Sequence, residues 1–292
     1  MKTIISKLIG FSLNVLALVA PRLAGRKAFE LFCYPFRRKL TRWHKDFLYS
    51  ADTFQLTNNG GTVQAYRWGN GPKNLLFLHG WQSHTFRWKA YVETLDKREY
   101  SVYAIDAPAH GLSTGNFMTV PVYSEAVQLA IQHIGKIDTV VGHSIGGFTA
   151  LYTFHHYPHL VPEKLIALAP PGEAKEFFDF YQQQIGLSKR VLHATINHFI
   201  HVIGQTPEYF SAPAFAASLT IPGLLIHDED DDETSVKNSI AIHSAWQNSK
   251  LIITKGKGHN LKSTEIVLEV VNFIQAKVSQ VANHSLYRSE IK

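Results

Sequence analysis

The 292-residue chain contains a single cysteine, Cys33, which excludes an intramolecular disulfide and any cysteine-based zinc or iron–sulfur centre. Charged residues make up only 18% of the chain and hydrophobic residues 45%, a balance that excludes a disordered or collagen-like protein. The sequence also lacks both glycine-rich patterns that commonly cradle nucleotides, G-x-x-x-x-G-K-[ST] and G-x-G-x-x-G. We therefore expect a globular protein without a metal or an organic cofactor.

Acidic residues are fewer than basic ones, 23 against 29, and the formal net charge is +6. The basic residues are scattered, with a concentration near the amino terminus, so they do not indicate a nucleic-acid-binding groove. The longest apolar run, Leu8–Ala20, is interrupted by Asn14 and is short for a membrane span.

The apolar spacing of this segment continues to Pro35 with a helical period, which predicts one amphipathic helix or a helix pair. Such helices pack on the domain or lie on a membrane surface, and peripheral membrane contact through residues 1–32 is one interpretation. The same pattern is compatible with an uncleaved inserted segment or with a cleaved signal peptide. We expect the protein to be cytoplasmic, with membrane association through this segment left open.

Short β-type runs alternate with helical stretches from residue 52 onward, which predicts an α/β fold. Residues 53–57 and 62–68 flank Asn58-Asn59-Gly60-Gly61, a turn typical of an antiparallel hairpin. Later runs are almost continuously aliphatic, as in parallel strands covered on both faces. We predict a mostly parallel, doubly wound sheet opened by this hairpin. The predicted parallel strands are 74–78, 100–105, 139–141, 164–168, 223–226 and 250–254.

About fifty residues between Pro170-Pro171 and Pro222 show helical periodicity without a clear strand, far more than a crossover needs. We interpret them as a helical cap over the carboxyl edge of the sheet, where α/β sheets bind ligands. We predict an N-terminal helical segment at residues 1–48 and a cap insertion at residues 172–218. The α/β core comprises residues 49–171 and 219–281.

Residues Gly142-His143-Ser144-Ile145-Gly146 match the pattern G-x-S-x-G between an apolar strand and a helical stretch. A sharp strand–turn–helix connection lifts a serine hydroxyl clear of the backbone, so Ser144 is the candidate nucleophile. A serine nucleophile needs a base and an acid that orients it. His259 stands in a glycine-rich turn after the last predicted strand, which makes it the candidate base.

The acid lies among six consecutive carboxylates, residues 228–233, that follow the strand at 223–226. Asp228 is nearest the strand end, whereas Asp231 is a short turn further on, where its side chain can point back across the sheet edge. Position alone favours Asp231 weakly. Backbone N–H groups of Trp81 and Ile145 would face Ser144 across that edge, and we predict that they form the oxyanion hole.

Four segments together resemble the α/β-hydrolase superfamily, closest to bacterial "alpha/beta fold" serine hydrolases with a helical cap. The resemblance covers roughly residues 50–280, and the motifs stand in the superfamily's order. It implies Ser144 as nucleophile, His259 as base and an aspartate after the seventh strand. Superfamily members usually carry H-G-x-x-D there, and reading Asp228 in the glycine position puts the acid at Asp231. The four segments are Leu76–Trp81, Asp106–Ser113, Gly142–Gly147 and Gly258-His259.

The resemblance implies a cofactor-independent serine hydrolase, and we expect a carboxylic ester hydrolase that forms an acyl-enzyme on a small or medium apolar acyl substrate. An acyltransferase, or an amide or carbon–carbon bond hydrolase, would use the same triad. A non-catalytic ligand-binding protein on this fold is a third hypothesis. Aromatic residues predict an apolar acyl pocket. They are Trp81, Phe86, Trp88, Phe177, Phe178, Phe180 and Tyr181.

Overall fold

The computed structural model describes residues 2–58 and 61–277, and one eight-stranded sheet runs through this part of the chain. Asn59 and Gly60 of the expected hairpin turn lie outside the described residues. The strands follow the order β1-β2-β4-β3-β5-β6-β7-β8 across the sheet. Their bounds are β1 Asp52–Asn58, β2 Gly61–Trp68, β3 Lys73–Leu78, β4 Tyr100–Ile105, β5 Thr139–His143, β6 Lys164–Leu168, β7 Gly223–Asp228 and β8 Ser249–Thr254.

In the described sheet, β2 alone runs opposite to the other strands. It pairs antiparallel with β1 in the register Asp52↔Arg67 and with β4 in the register Ala65↔Ile105. The other neighbouring pairs are parallel. The central strands β5, β6 and β7 are buried along their whole length, as strands with helices on both faces must be. The fold class is thereby confirmed: a mostly parallel sheet opened by an antiparallel hairpin.

Helices connect the strands at the places where the sequence has apolar residues at helical spacing. Serine and threonine caps begin several of them: the Thr119 side chain accepts a hydrogen bond from the Val122 N–H, and Ser263 accepts one from Ile266. The helices are α1 Lys2–Val19, α2 Pro21–Phe32, α3 Arg42–Leu48, α4 Lys89–Thr94, α5 Val120–Ile134, α6 Ile145–His156, α7 Ala174–Ile185, α8 Lys189–Ile203, α9 Ala212–Ala216, α10 Val236–Ala245 and α11 Thr264–Gln275.

The chain divides into two compact units. The larger unit comprises residues 35–172 and 212–292, and its described part ends at residue 277. It contains the sheet and is called the sheet unit below. Because its parallel strands β3, β5, β7 and β8 point the same way, their carboxyl ends meet at one edge. The loops after these four strands carry the residues of the candidate site.

The smaller unit, residues 1–34 and 173–211, is called the helical unit, and it joins the amino-terminal helices to the insertion helices. Its core contains Ala24 and Ala28 of α2 with Val191 of α8. Gly25 allows close packing here, because a Cβ at this position would lie 2.4 Å from the Ala194 backbone. Among the described residues, no helix combines the length and apolar character needed to cross a membrane.

Candidate active site

Ser144 occupies the turn between β5 and α6 with φ +53° and ψ −126°, a conformation that a residue with a side chain rarely adopts. The flanking glycines make this turn sterically feasible. A Cβ at Gly142 would lie 2.5 Å from the Gly147 backbone, and one at Gly146 would lie 2.4 Å from the Leu78 carbonyl oxygen. The G-x-S-x-G spacing therefore reflects close packing of the turn against β3 and the start of its own helix.

The end of β3 lies beside Ser144, since β3 and β5 are neighbours and Leu78 pairs with Gly142. A Cβ at Gly80 would come within 3.0 Å of Ser144 Cβ, so only glycine lets the loop approach so closely. Within the described part of the chain, neither the Trp81 N–H nor the Ile145 N–H donates to a protein acceptor. Ile145 is the first residue of α6, where N–H groups are unpaired and attract negative charge.

Three buried groups fix the loop that carries Trp81. The His110 ring accepts a hydrogen bond from the Gln82 N–H at 3.0 Å, and the Asp106 carboxylate accepts one from the Thr85 N–H at 2.8 Å. His79 accepts one from the Ala107 N–H at 2.9 Å. Burial lowers the pKa of His79 and of His110 to about 3, so both rings are neutral and can serve as acceptors.

His259 lies in the turn after β8, and its ring is held from two sides. Its Nδ1 is 2.8 Å from Asp231 Oδ2 and 3.1 Å from Thr234 Oγ1. The His143 ring packs against it with centroids 4.9 Å apart, and His143 Nε2 is 2.9 Å from the His259 carbonyl oxygen. The residue directly before Ser144 thus anchors the turn that carries His259.

The Asp231 side chain is completely buried and has a partner for each oxygen. Oδ1 accepts from the Glu233 and Thr234 N–H groups, both at 2.9 Å. Oδ2 lies near two imidazoles, His259 at 2.8 Å and His227 Nε2 at 3.1 Å. Burial by itself raises the pKa of Asp231, but the hydrogen bonds from His227, His259 and the Thr234 N–H outweigh it and hold this pKa well below its ordinary value.

Asp228 makes a different set of contacts. Its Oδ2 accepts from the Thr254 hydroxyl at 2.7 Å and from the Lys257 N–H at 2.9 Å, and its Oδ1 accepts from the Asp230 N–H at 3.0 Å. These bonds tie the end of β7 to the turn after β8. The structure thus brings Asp231, and not Asp228, into contact with His259.

His143 links the two turns, because it directly precedes Ser144 in the chain and its ring contacts His259. No hydrogen bond joins Ser144 Oγ to His259 Nε2 in the described structure. Near His259 Nε2 lies the exposed carboxylate of Glu233, with Oε2 at 3.8 Å. Ser144 itself is 9% exposed. In structures without substrate, the bond between nucleophile and base is often long, and it tightens when substrate binds.

Sequence reasoning missed three residues that hold the site. His227, the fifth residue of β7, contacts Asp231 through Nε2 and the Ser239 hydroxyl through Nδ1 at 2.7 Å. Arg87 donates to the Asn260 carbonyl oxygen at 2.6 Å, and burial lowers its pKa to about 10. Thr234 contacts both Asp231 and His259. A histidine directly after the predicted strand 223–226 was a signal for His227. The contacts of Arg87 with Asn260 and of Thr234 with His259 join residues far apart in sequence and gave no local signal.

The aromatic residues expected to line an acyl pocket lie in different parts of the structure. Trp88 is completely buried in the core of the sheet unit and packs against Phe77 with ring centroids 5.0 Å apart, so its expected pocket role is wrong. Phe178 and Tyr181 belong to the core of the helical unit, where both rings contact Phe32. Among residues 2–58 and 61–277, no group of three or more His, Cys, Asp or Glu side chains is placed to hold a metal ion.

Known proteins share both sequence and fold with this chain. Residues 71–204 match the family model for serine aminopeptidases of the S33 group. An esterase of Mycobacterium tuberculosis is 28% identical over 131 residues, which cover 43% of this chain and 43% of that protein. A pimeloyl-[acyl-carrier protein] methyl ester esterase of Vibrio vulnificus is 27% identical over 144 residues, covering 49% of this chain and 53% of that protein. The chain thus aligns with about half the length of these relatives.

Among solved structures, a membrane phospholipase A described as a bacterial virulence factor superposes with a TM-score of 0.62 at 16% identity, covering 83% of this chain and 90% of that one. Similarity at this level of identity concerns the fold. The sheet order, the strained serine turn after β5 and the matching family model agree with one another. The chain has the α/β-hydrolase fold, and its residues 71–204 are similar to the S33 serine aminopeptidases.

Proposed function

We propose that the protein is a cofactor-independent serine hydrolase that cleaves carboxylic esters through an acyl-enzyme. Ser144 is the nucleophile, His259 the general base and Asp231 the acid that orients it. The observation that carries this proposal is the 2.8 Å contact between His259 Nδ1 and the buried Asp231 carboxylate, next to the strained turn that presents Ser144. The esterases among the relatives support the reaction class.

In this mechanism, Asp231 selects the tautomer of His259, that is, which of its two ring nitrogens carries the proton. A carboxylate whose pKa is held low stays ionised, so the Nδ1 that faces it carries the proton. Nε2 is then the free base that accepts the Ser144 hydroxyl proton. Asp231 also stabilises the imidazolium that this transfer creates, while the contact with His227 keeps the carboxylate in place.

In the first half-reaction, Ser144 Oγ bonds to the ester carbonyl carbon as His259 Nε2 takes its proton. The carbonyl oxygen becomes an oxyanion, and the free N–H groups of Trp81 and Ile145 stabilise it. The C–O bond then breaks, and the alcohol leaves with the proton from His259. Water enters, gives a proton to His259 and bonds through its oxygen to the acyl carbon. The bond between Ser144 Oγ and the acyl carbon then breaks, His259 returns the proton to Ser144 Oγ, and the acid leaves.

The substrates we propose are small-molecule esters with a small or medium apolar acyl group. We also propose that residues 1–32 contact a membrane surface and that the rest of the protein is cytoplasmic. The three-part division into an N-terminal segment, a two-part core at 49–171 and 219–281, and a cap at 172–218 is likewise our proposal for the domains.

Hydrolysis of a series of p-nitrophenyl esters of increasing acyl length tests this function. Wild-type protein should hydrolyse at least one ester, and Ser144→Ala and His259→Ala should reduce kcat by about 10³-fold or more with the fold retained. A matched control is Ser124→Ala, a buried serine on α5 that lies outside the site. Full activity in either site variant would exclude the proposed triad.

A transferase would use the same triad, and the acceptor then decides the reaction. Faster loss of ester on addition of an alcohol or thiol, with formation of the new ester or thioester, would favour transfer over hydrolysis. A ligand-binding protein is less well supported, because Phe178 and Tyr181, two of the aromatic side chains expected to line a pocket, pack against Phe32 within the helical unit.

A further inference from the structure

Helix α1 has an outer face that is almost entirely apolar. Ten of its described side chains are exposed, and eight of these are large and hydrophobic. Five of them are spaced alternately four and three residues apart, which places them in one stripe along the helix: Ile4, Leu8, Phe11, Val15 and Leu18. The exposed apolar residues are Ile4, Ile5, Leu8, Ile9, Phe11, Val15, Leu18 and Val19.

Two polar side chains of the same helix bond to the end of α7 and the turn after it, whereas the polar side chains of a soluble helix usually face water. Asn14 donates to the Gly186 carbonyl oxygen at 2.9 Å and accepts from the Ser188 N–H at 2.7 Å. Lys7 Nζ donates to the Gln183 carbonyl oxygen at 2.6 Å. The hydroxyl of Ser12, an exposed polar residue, bonds within the helix to the Leu8 carbonyl oxygen at 2.9 Å.

Close packing prevents α1 from turning this face inward. Gly10 lies against the insertion helices so tightly that a Cβ would be 1.7 Å from the Ile185 carbonyl oxygen, and Leu13 and Ala17 are buried beside it. The orientation of α1 within the helical unit is therefore fixed by both steric and polar contacts. Its apolar stripe faces outward as a consequence of the fold.

The charge of this region distinguishes between a lipid surface and a second copy of the chain. Residues 1–34 contain five basic residues and one acidic residue, Glu30, which lies 2.7 Å from Lys27 and 3.6 Å from Arg26. Two such segments placed face to face would repel each other, whereas anionic lipid headgroups would attract them. Arg22, Arg26 and Lys27 are exposed on α2, next in sequence after the apolar stripe.

We propose that the outer face of α1 is an interfacial membrane-binding surface, on which the helix lies parallel to the bilayer with its apolar stripe among the acyl chains and nearby basic residues on anionic headgroups. At 1.5 Å per residue the helix is about 27 Å long, so it would offer an extended contact. This inference does not depend on the hydrolase activity, since it rests only on the helical unit.

Vesicle co-sedimentation of the full chain tests it, with phosphatidylcholine alone and with equal parts of phosphatidylcholine and phosphatidylglycerol. Wild-type protein should pellet with the vesicles, and more completely with the anionic mixture. The triple variant L8Q/F11Q/L18Q should lose binding by about tenfold or more, because it removes much of the apolar contact. The variant R22Q/R26Q should lose the preference for anionic vesicles while keeping part of the binding.

The matched control is I240Q/L268Q, which replaces two exposed apolar residues of the sheet unit, 43% and 47% exposed, and should bind like wild type. Circular dichroism and thermal melting would establish that each variant is folded, and Phe11→Gln alone would replace the triple variant if that one does not fold. Wild-type protein that stays in the supernatant with both vesicles would overturn the proposal. So would a triple variant that pellets as well as wild type, or a wild-type dimer that the triple variant converts to monomer without vesicle binding.

Discussion

At the scale of single residues, the candidate site is defined by which carboxylate reaches His259. Asp231 and Asp228 lie three residues apart, and both side chains are fully buried or nearly so. Only Asp231 contacts His259, whereas Asp228 holds backbone and hydroxyl donors of the turn after β8. The two carboxylates therefore have separable effects on activity and stability.

We expect Asp231→Asn to lower kcat by about 10³- to 10⁴-fold, because the amide no longer selects the tautomer in which Nε2 is the base. Asp228→Asn should change kcat less than about tenfold but lower the free energy of unfolding by about 1–3 kcal/mol, because it weakens buried hydrogen bonds. Ester hydrolysis and urea unfolding of both variants measure these effects. A greater loss of kcat in Asp228→Asn would show that the acid is misassigned.

The sequence contained enough information to propose Ser144 and His259, because the turn pattern and the glycine-rich loop after the last strand are local features. It could only weakly favour Asp231 from position, since six carboxylates in a row give similar local signals. His227 and Thr234 complete the surroundings of Asp231, and Arg87 holds the next turn. The contacts of Thr234 with His259 and of Arg87 with Asn260 join loops that only the folded sheet brings together, so no local pattern could reveal them.

At the scale of secondary-structure elements, long periodic segments were predictable and short ones were not. The hairpin strands expected at 53–57 and 62–68 are confirmed to within one residue, and the strands expected at 100–105 and 164–168 have the same bounds in the structure. Helix α4, with six residues, was missed because so short a segment shows no clear apolar period. Helix α3, with seven residues, lies within the helical segment expected at 1–48 but was not predicted as a separate helix. The packing of α1 and α2 with α7 and α8 joins segments more than 140 residues apart in sequence.

This packing depends on small residues, and Gly10 tests it. Gly10→Ala should lower the free energy of unfolding of the helical unit by about 1–3 kcal/mol, because the new methyl group would overlap the Ile185 carbonyl oxygen. The matched control is Ser12→Ala at an exposed position of the same helix, which should differ from wild type by much less. Thermal melting compares the two variants. Equal stability of Gly10→Ala and wild type would contradict the close approach.

At the scale of the whole molecule, buried neutral histidines make stability depend on pH. Burial lowers the pKa of His79 and His110 to about 3 and that of His84 to about 4, and it holds the pKa of His143 well below its ordinary value. In the unfolded chain these rings take up protons near pH 6.5. Between these values the unfolded state binds more protons, so stability decreases as pH falls.

We expect the free energy of unfolding to be fully maintained above about pH 7 and to decrease from about pH 6.5 toward pH 4. Each ring contributes a slope of about 1.4 kcal/mol per pH unit. Urea unfolding at several pH values measures the slope, and His79→Gln, which keeps an acceptor for the Ala107 N–H, should reduce it by one proton. A stability that rises as pH falls through this window would contradict the neutral state of these rings.

The central claim is that Ser144 is an activated nucleophile, and covalent labelling tests it most directly. Intact and peptide mass spectrometry after incubation with a fluorophosphonate should show one adduct on the Ser144 peptide of the wild-type protein. Ser144→Ala should show none, and Asp231→Asn should react much more slowly than wild type. Folded wild-type protein that remains unlabelled, or an adduct that persists in Ser144→Ala, would contradict the account.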